Sequence, residues 1–319
     1  MKILIAYDGS ESADKGVDDL SRAGLPSEAD VLVVSVAEVW LPPPPDDEGL
    51  DDTFPFQVPA GLKRARAHAA HIVKHAEELA ERGSKRVQHI FPRWTVNYEA
   101  MNGSPAHELL KRSREWQPHL IVVGSHGRTA LGRFVLGSVS QKVLTEAQAS
   151  VRVGRQTTGT GASAMRIVLG VDGSEGAQEA VRTVAARGWT PGSEVRVVVA
   201  EDMLIANSVY PLIASVNEFV DEVNEAERTL SQGIAEKAVK ELRTELENRS
   251  VTVSSAVVTG DPKRVLVRHA EEFGADCIFT GATGLSNPIE RLLVGSVSAA
   301  VAARANCSVE VVRSRTETP

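Results

Sequence analysis

His119-Leu120-Ile121-Val122-Val123-Gly124-Ser125-His126-Gly127 reads as an apolar strand running straight into glycines, and Gly137-Ser138, ten residues beyond Gly127, opens a helix. Farther along, Gly281-Ala282-Thr283-Gly284 leading to Gly295-Ser296 repeats the plan. Without a Cβ the backbone turns sharply and its N–H groups can approach an anion closely. A helix start adds unpaired donors and positive dipole potential, so the combination has the makings of a phosphate cradle.

Each cradle lies late in a repeat whose first strand ends in Asp-Gly-Ser, at Asp8-Gly9-Ser10 and Asp172-Gly173-Ser174. These landmarks stand 164 residues apart, as do the second strands Val31–Val36 and Val195–Ala200. Gly124 and Gly281 are separated by 157, and Gly137 and Gly295 by 158, a spacing kept to Ser150-Val151-Arg152-Val153 and Ser308-Val309-Glu310-Val311. Landmarks that shift together mark a duplicated domain. At roughly 150 residues per domain, 319 residues make two, expected at 1–155 and 165–314. The small polar run from Arg155 to Ala164 is the expected connection.

In the first copy strands are expected at 3–7, 31–37, 86–99, 119–124 and 150–154, and helices near 11–23, 61–82, 104–115 and 137–147. Alternation of this kind predicts an α/β fold, a parallel sheet with helices on both faces. Pro92 falls inside the third of these strands, which an edge position would tolerate. The second copy repeats the plan from Arg166 to Val312, with a long helical pattern from about Ile213 to Glu247. The proline-rich acidic stretch from Leu41 to Pro59 predicts an extended surface loop, either a plain insertion or a lid over the first site.

A net charge of −7 offers no basic field for nucleic acid or anionic lipid, and both are disfavoured as partners. The first strand starts at Lys2 and no apolar run reaches spanning length, so neither a signal peptide nor a membrane span is expected and the cytoplasm is the expected compartment. The two cysteines, Cys277 and Cys307, read as reduced core thiols.

In a parallel sheet of this type ligands sit beyond the carboxyl ends of the strands, where the strand order reverses. Asp8, Val36 and Gly124 fall at such ends. A carboxylate there can accept from ribose hydroxyls, a strand end can offer backbone groups to a base, and the glycine loop with Ser138 can hold phosphates. Taken singly, Asp8-Gly9-Ser10 is a turn and helix cap and each glycine a tight turn; together they outline a mononucleotide site.

The pattern Gly124-x2-Gly127-x9-Gly137-Ser138, with an Asp ending the first strand, resembles the ATP-binding class of universal stress proteins. The resemblance covers both halves and implies a tandem member built of two flavodoxin-like (Rossmann-like) domains, each sheet ordered 3-2-1-4-5. It implies ATP as the ligand, with Mg2+ a possible companion. Asp8 and the backbone near Val36 would hold ribose and adenine, and Gly124, Gly127, Gly137, Ser138 and Val139 ribose and phosphates. In the second half the same roles fall to Asp172, Ala200, Gly281, Gly284, Gly295, Ser296 and Val297. By their own positions, His126 lies within the cradle, and Arg128 and Arg133 either screen phosphate charge or are plain exposed loop arginines. The resemblance also implies that the last strands pair edge to edge, within the chain or in a homo-oligomer. The second cradle departs from the pattern, with ten residues between Gly284 and Gly295 and Ala282-Thr283 in place of Ser125-His126.

Two decoys fall away. Gly132-Arg133-Phe134-Val135-Leu136-Gly137-Ser138 has the glycine spacing of a P-loop but serine where lysine must stand, and the register from Gly127 puts Phe134 where a hydroxyl is needed. His68, His71, His75 and Glu78 share one side of a helix and read as a solvated flank rather than a metal site. No nucleophile with an adjacent base stands out, so binding is expected over turnover, slow ATP hydrolysis staying open. Two rivals remain: a nucleotide-free interaction module, and an adenylating enzyme of the ATP-pyrophosphatase type, for which Asp8-Gly9-Ser10-Glu11-Ser12 lacks the glycine-rich loop.

Overall fold

In the computed structural model, which describes residues 1–39, 60–127, 136–155, 163–201, 217–283 and 294–314, the apolar runs of the first copy become β1 (Lys2–Ala6), β2 (Asp30–Ala37), β3 (Thr95–Asn102), β4 (Leu120–Gly124) and β5 (Ser150–Gly154). Those of the second become β6 (Arg166–Gly170), β7 (Glu194–Glu201), β8 (Thr252–Thr259), β9 (Cys277–Gly281) and β10 (Ser308–Val312). The first copy carries helices α1 (Glu11–Asp19), α2 (Ala60–Ile90), α3 (Pro105–Trp116) and α4 (Ser138–Glu146). The second carries α5 (Glu175–Ala186), α6 (Asn217–Leu246), α7 (Pro262–Phe273) and α8 (Ser296–Arg304).

All these strands lie in one sheet, ordered β3-β2-β1-β4-β5-β10-β9-β6-β7-β8. Each half has the order 3-2-1-4-5 and is parallel throughout, and the halves join through antiparallel β5 and β10. Because β1 lies between β2 and β4, the chain leaves β1 toward one side and later returns on the other. The loops after β1 and β4 therefore meet in a crevice at that reversal.

Strand residues alternate between two faces. On one face Leu4, Leu32, Ile121 and Val151 of the first copy and Val168, Val198, Ile278 and Val309 of the second form a single core under α3, α4, α7 and α8. On the other face each copy has its own core, Ile3, Ile5, Val31 and Val33 under α1 and α2, and Ile167, Leu169, Val195 and Val197 under α5 and α6.

The alternation along β5 and β10 sends Val151, Val153, Val309 and Val311 into the shared core and Arg152 and Glu310 to the opposite face. These two charged residues stand directly opposite each other in the ladder and are both fully buried, 3.0 Å apart. Arg152 also binds Asp19, at 2.6 Å, and Arg187 closes on the other oxygen of Glu310. Burial opposes the charged form of Arg152, yet the Asp19 and Glu310 carboxylates hold its guanidinium above the ordinary arginine value. Positions 152 and 310 are equivalents in the duplication. Pairing β5 with another β5 in this register would set Arg152 against Arg152, each keeping its Asp19 but losing the Glu310 carboxylate that stands opposite it here.

The third strand differs from its expected place at 86–99. Residues 86–90 continue α2, which buries Leu79, Ala80 and Val87 against the sheet while Arg86 grips Asp18 at 2.6 Å. Gly83 belongs inside that helix because a Cβ would come within 2.8 Å of the Tyr7 ring. Pro92 lies in the turn that follows, where Phe91 stacks on Trp94, and edge strand β3 starts at Thr95 opposite Asp30. The stretch 40–59, the connection at 156–162 and the start of the long helical pattern before Asn217 lie outside the described residues. None of the described helices is long and apolar enough to cross a membrane.

Two outcomes follow from these contacts. Glu310→Gln is expected to lower stability by about 3–5 kcal/mol, because it leaves buried guanidinium charge uncompensated. Glu81→Gln, which breaks an exposed pair with Lys85, should cost no more than about 0.5 kcal/mol. Urea unfolding midpoints check both, and similar shifts would contradict the burial argument. Cys277 and Cys307 are buried and unpaired, and burial pushes the Cys307 thiol up to about 12 and Cys277 higher still. Neither should react with a disulfide thiol reagent at pH 8 until the chain is unfolded, when both react.

Candidate functional site

The crevice between β1 and β4 is built first by the turn after β1. Gly9 adopts a φ of +75°, which favours glycine. One Asp8 carboxylate oxygen accepts from the Ser10 amide at 2.9 Å, and the Ser10 hydroxyl caps α1 by accepting from Ala13 N at 3.1 Å. Asp-Gly-Ser thus has the structural duties of turn and cap, and the other oxygen of Asp8 faces Gly127. Arg82 of α2 holds the turn from outside, donating to Gly9 O at 3.2 Å and to the Tyr7 hydroxyl at 3.0 Å, while that hydroxyl donates to Asp14. Burial and then the Asp14 hydrogen bond push the Tyr7 hydroxyl above the ordinary tyrosine range, so it stays a donor.

The glycine loop forms the opposite wall. At Gly124 a Cβ would stand 2.9 Å from backbone atoms of Ser12, so this glycine is demanded by the close passage of α1. At Gly137 a Cβ would meet only ordinary contacts at 3.5 Å and beyond, and at Gly127 its described neighbour would be Asp8 Oδ2 at 3.4 Å. The described packing would therefore tolerate a Cβ at either position and does not itself demand glycine there. Gly137 N donates to Ser125 O at 2.9 Å and Ser140 Oγ to Gly124 O at 2.7 Å, which locks the start of α4 against the end of β4. That helix begins on Gly137 in extended conformation with no side chain capping it, in contrast to α1 with Ser10 and α5 with Ser174. The N-cap residue therefore supplies no side-chain acceptor to the first-turn amides at Ser138 and Val139.

His126 adds a feature that its neighbours explain. Its amide donates to Ser12 Oγ at 3.0 Å and its Nδ1 lies 2.9 Å from Ser125 Oγ, which is itself 3.2 Å from Ser12 Oγ. Its Nε2 is shielded from solvent and has no hydrogen-bond partner among the described residues. A shielded ring nitrogen with no partner among the described residues is one that a polar group could satisfy.

The second copy keeps the frame. Ser174 N donates to Asp172 at 3.0 Å, Gly295 N to Ala282 O at 2.6 Å, and Ser298 Oγ to Gly281 O at 2.6 Å. A Cβ at Gly281 would collide with Gly176 at 2.3 Å, the counterpart of the clash at Gly124. The start of α8 on Gly295 likewise has no side-chain cap, so Ser296 and Val297 mirror Ser138 and Val139. The extra residue therefore leaves both ends of the loop in register. What changes is the chemistry, since Ser12, Ser125 and His126 become Gly176, Ala282 and Thr283, and no imidazole stands in the second crevice.

Val36 and Ala200 lie near the ends of β2 and β7, half-buried and packed on the shared core. Asp8, Gly124, His126, Gly127 and Gly137 are brought together, whereas Arg128, Arg133 and Gly284 lie outside the described residues. His68, His71, His75 and Glu78 are exposed on α2, where His75 lies 3.7 Å from Glu78. Sequence reasoning missed Ser12 and Arg82. Ser12 was detectable as a polar residue one copy holds where the other has Gly176, but nothing local in α2 singled out Arg82.

The Universal stress protein family matches this chain twice, over residues 1–155 and 164–313. A universal stress protein of Bacillus subtilis is 28% identical over 142 residues, covering 44% of this chain and 90% of its own. One from Methanocaldococcus jannaschii is 29% identical over 153 residues, covering 46% of this chain and 94% of its own. Among solved structures, a universal stress protein from Archaeoglobus fulgidus shares the fold over 98% of both chains, with a TM-score of 0.59 at 20% identity.

The glycine geometry is testable by stability alone. Gly124→Ala should cost about 1–3 kcal/mol by forcing a methyl onto the α1 backbone. Gly137→Ala should stay within about 1 kcal/mol of the parent protein. Urea midpoints that rank the two the other way would contradict the assigned roles.

Proposed function

The chain belongs to the universal stress protein family as a tandem member with two copies of its domain, and from that premise we propose that it binds ATP in the crevice of the first copy and acts in the cytoplasm as a nucleotide-dependent regulator of the stress response. The domains are taken as 1–155 and 165–314. Asp8 accepts from ribose hydroxyls, main chain near Val36 faces the base, and Gly127, Gly137, Ser138 and Val139 give amides to the phosphates. His126 and Arg128 add donors there, and Mg2+ would share the phosphate charge. The single observation that carries this reading is the convergence of Asp8, Gly127 and Gly137 on a helix start whose N-cap glycine has no side chain to cap it.

The residues present fit such a group. Bare amides and a helix dipole suit an anion, and the shielded Nε2 of His126 lacks, among the described residues, the partner that a phosphate oxygen would supply. In the second copy the amides and Asp172 remain, but Thr283 replaces the imidazole. The second crevice is therefore the weaker site.

Calorimetry of the full chain with ATP tests this. At least one site is expected, lost on Asp8→Ala or on Gly127→Leu, with a smaller effect from Asp172→Ala. Equal losses from the Asp8 and Asp172 changes would reverse the ranking of the sites. Absence of binding at millimolar ATP would favour the nucleotide-free interaction module, and release of pyrophosphate with a second substrate would favour an adenylating enzyme.

A further inference from the structure

Two buried arginines, Arg155 just after β5 and Arg313 just after β10, stand at equivalent positions 158 residues apart. Each reaches across the junction into the other copy. Arg313 Nη2 donates to Leu144 O at 2.9 Å and to Thr145 O at 3.2 Å, in the last turn of α4. Arg155 Nη2 donates to Ala302 O at 2.5 Å, in the last turn of α8, and its Nη1 to Cys307 O at 3.3 Å. Leu144 and Ala302 are themselves equivalents in the duplication, so the exchange is reciprocal. Serines hold both arginines in place, Arg155 N donating to Ser308 Oγ at 2.9 Å and Arg313 N to Ser150 Oγ at 3.1 Å.

Among the described residues neither guanidinium has a carboxylate partner. Burial pushes Arg313 down to about 10 and lowers Arg155 as well; a guanidinium is not deprotonated in a protein, and among the described residues carbonyls are what face both cations. Cations on last-turn carbonyls complement the helix dipole and fix the helix end. Both helices are short, nine residues or about 13 Å, and their opposite ends are the uncapped starts at Gly137 and Gly295. A short helix pinned at its C-terminus presents its N-terminal amides at a fixed place.

We propose that Arg313 of the second copy is a positioning residue for nucleotide in the first crevice, and Arg155 of the first copy for the second crevice, each acting through the far end of the helix that offers the phosphate-binding amides. This rests on the nucleotide-binding reading above and adds that each site is completed from the other domain.

The test uses the full chain with R313M, R155M and the charge-preserving R313K, read by ATP calorimetry and by amide hydrogen exchange without nucleotide. R313M is expected to weaken ATP about fivefold at the first site, the equivalent of a lost dipole contact, and to speed exchange at residues 139–146. R155M is expected to speed exchange at 297–304 and to have the smaller effect on first-site ATP. R313K should recover most of the affinity, which also separates positioning from failure to fold. Equal effects of R313M and R155M on first-site ATP, or exchange changes confined to each arginine's own domain, would overturn the proposal. A parent protein that binds ATP with R313M binding it equally well would overturn this proposal alone, whereas a parent protein that binds no ATP would overturn the nucleotide reading and this one with it.

Discussion

The strand order places β1 next to β4, and most of what the molecule offers depends on that one constraint. With β2 on one side and β4 on the other, the turn carrying Asp8 and the loop carrying Gly124 to Gly127 leave the sheet as neighbours. Hydrogen bonds at both edges of the crevice then set its shape, Ser10 to Asp8 on one wall and Gly137 to Ser125 on the other. Among the described residues the Nε2 of His126 has no hydrogen-bond partner, and the glycine that opens α4 gives its first-turn amides no side-chain cap, so both are polar groups facing the same crevice.

Duplication preserved the frame and let the chemistry diverge. Both copies retain the Asp-Gly-Ser turn, the serine that binds the glycine carbonyl at the end of the fourth strand, and the arginine that crosses to the opposite helix. They differ in the Ser12–Ser125–His126 cluster, present once, and at the centre of the junction, where Arg152 meets Glu310. A buried pair of this kind is weak as a source of stability, and like-with-like pairing of β5 would take from Arg152 the Glu310 carboxylate that stands opposite it here. Within this chain the two copies meet as unlike partners along this ladder.

Much of the fold was legible because it rests on local pattern: apolar strands, capping serines and a repeat that keeps step over both halves. The third strand was misplaced for a tertiary reason. Residues 86–90 alternate well enough to suggest a strand, but Gly83 against the Tyr7 ring and Arg86 against Asp18 keep the helix running past them. Asp8 and the glycines of the candidate site could be read from spacing, since backbone turns leave a signature in residue type. Arg82 and the crossing arginines could not be read locally, because their partners lie in another helix or in the other copy. The repeat does contain a clue to Arg155 and Arg313, which recur at the same spacing as the strands they follow.

The account turns on whether main-chain amides of the first glycine loop and the start of α4 are what a nucleotide meets. Backbone amide resonances followed through an ATP titration of the full chain measure this directly. The account predicts saturable shifts concentrated at Gly127, Ser138 and Val139, with weaker changes at Ser296 and Val297. Saturable ATP binding that leaves those amides unmoved and shifts another surface would contradict it.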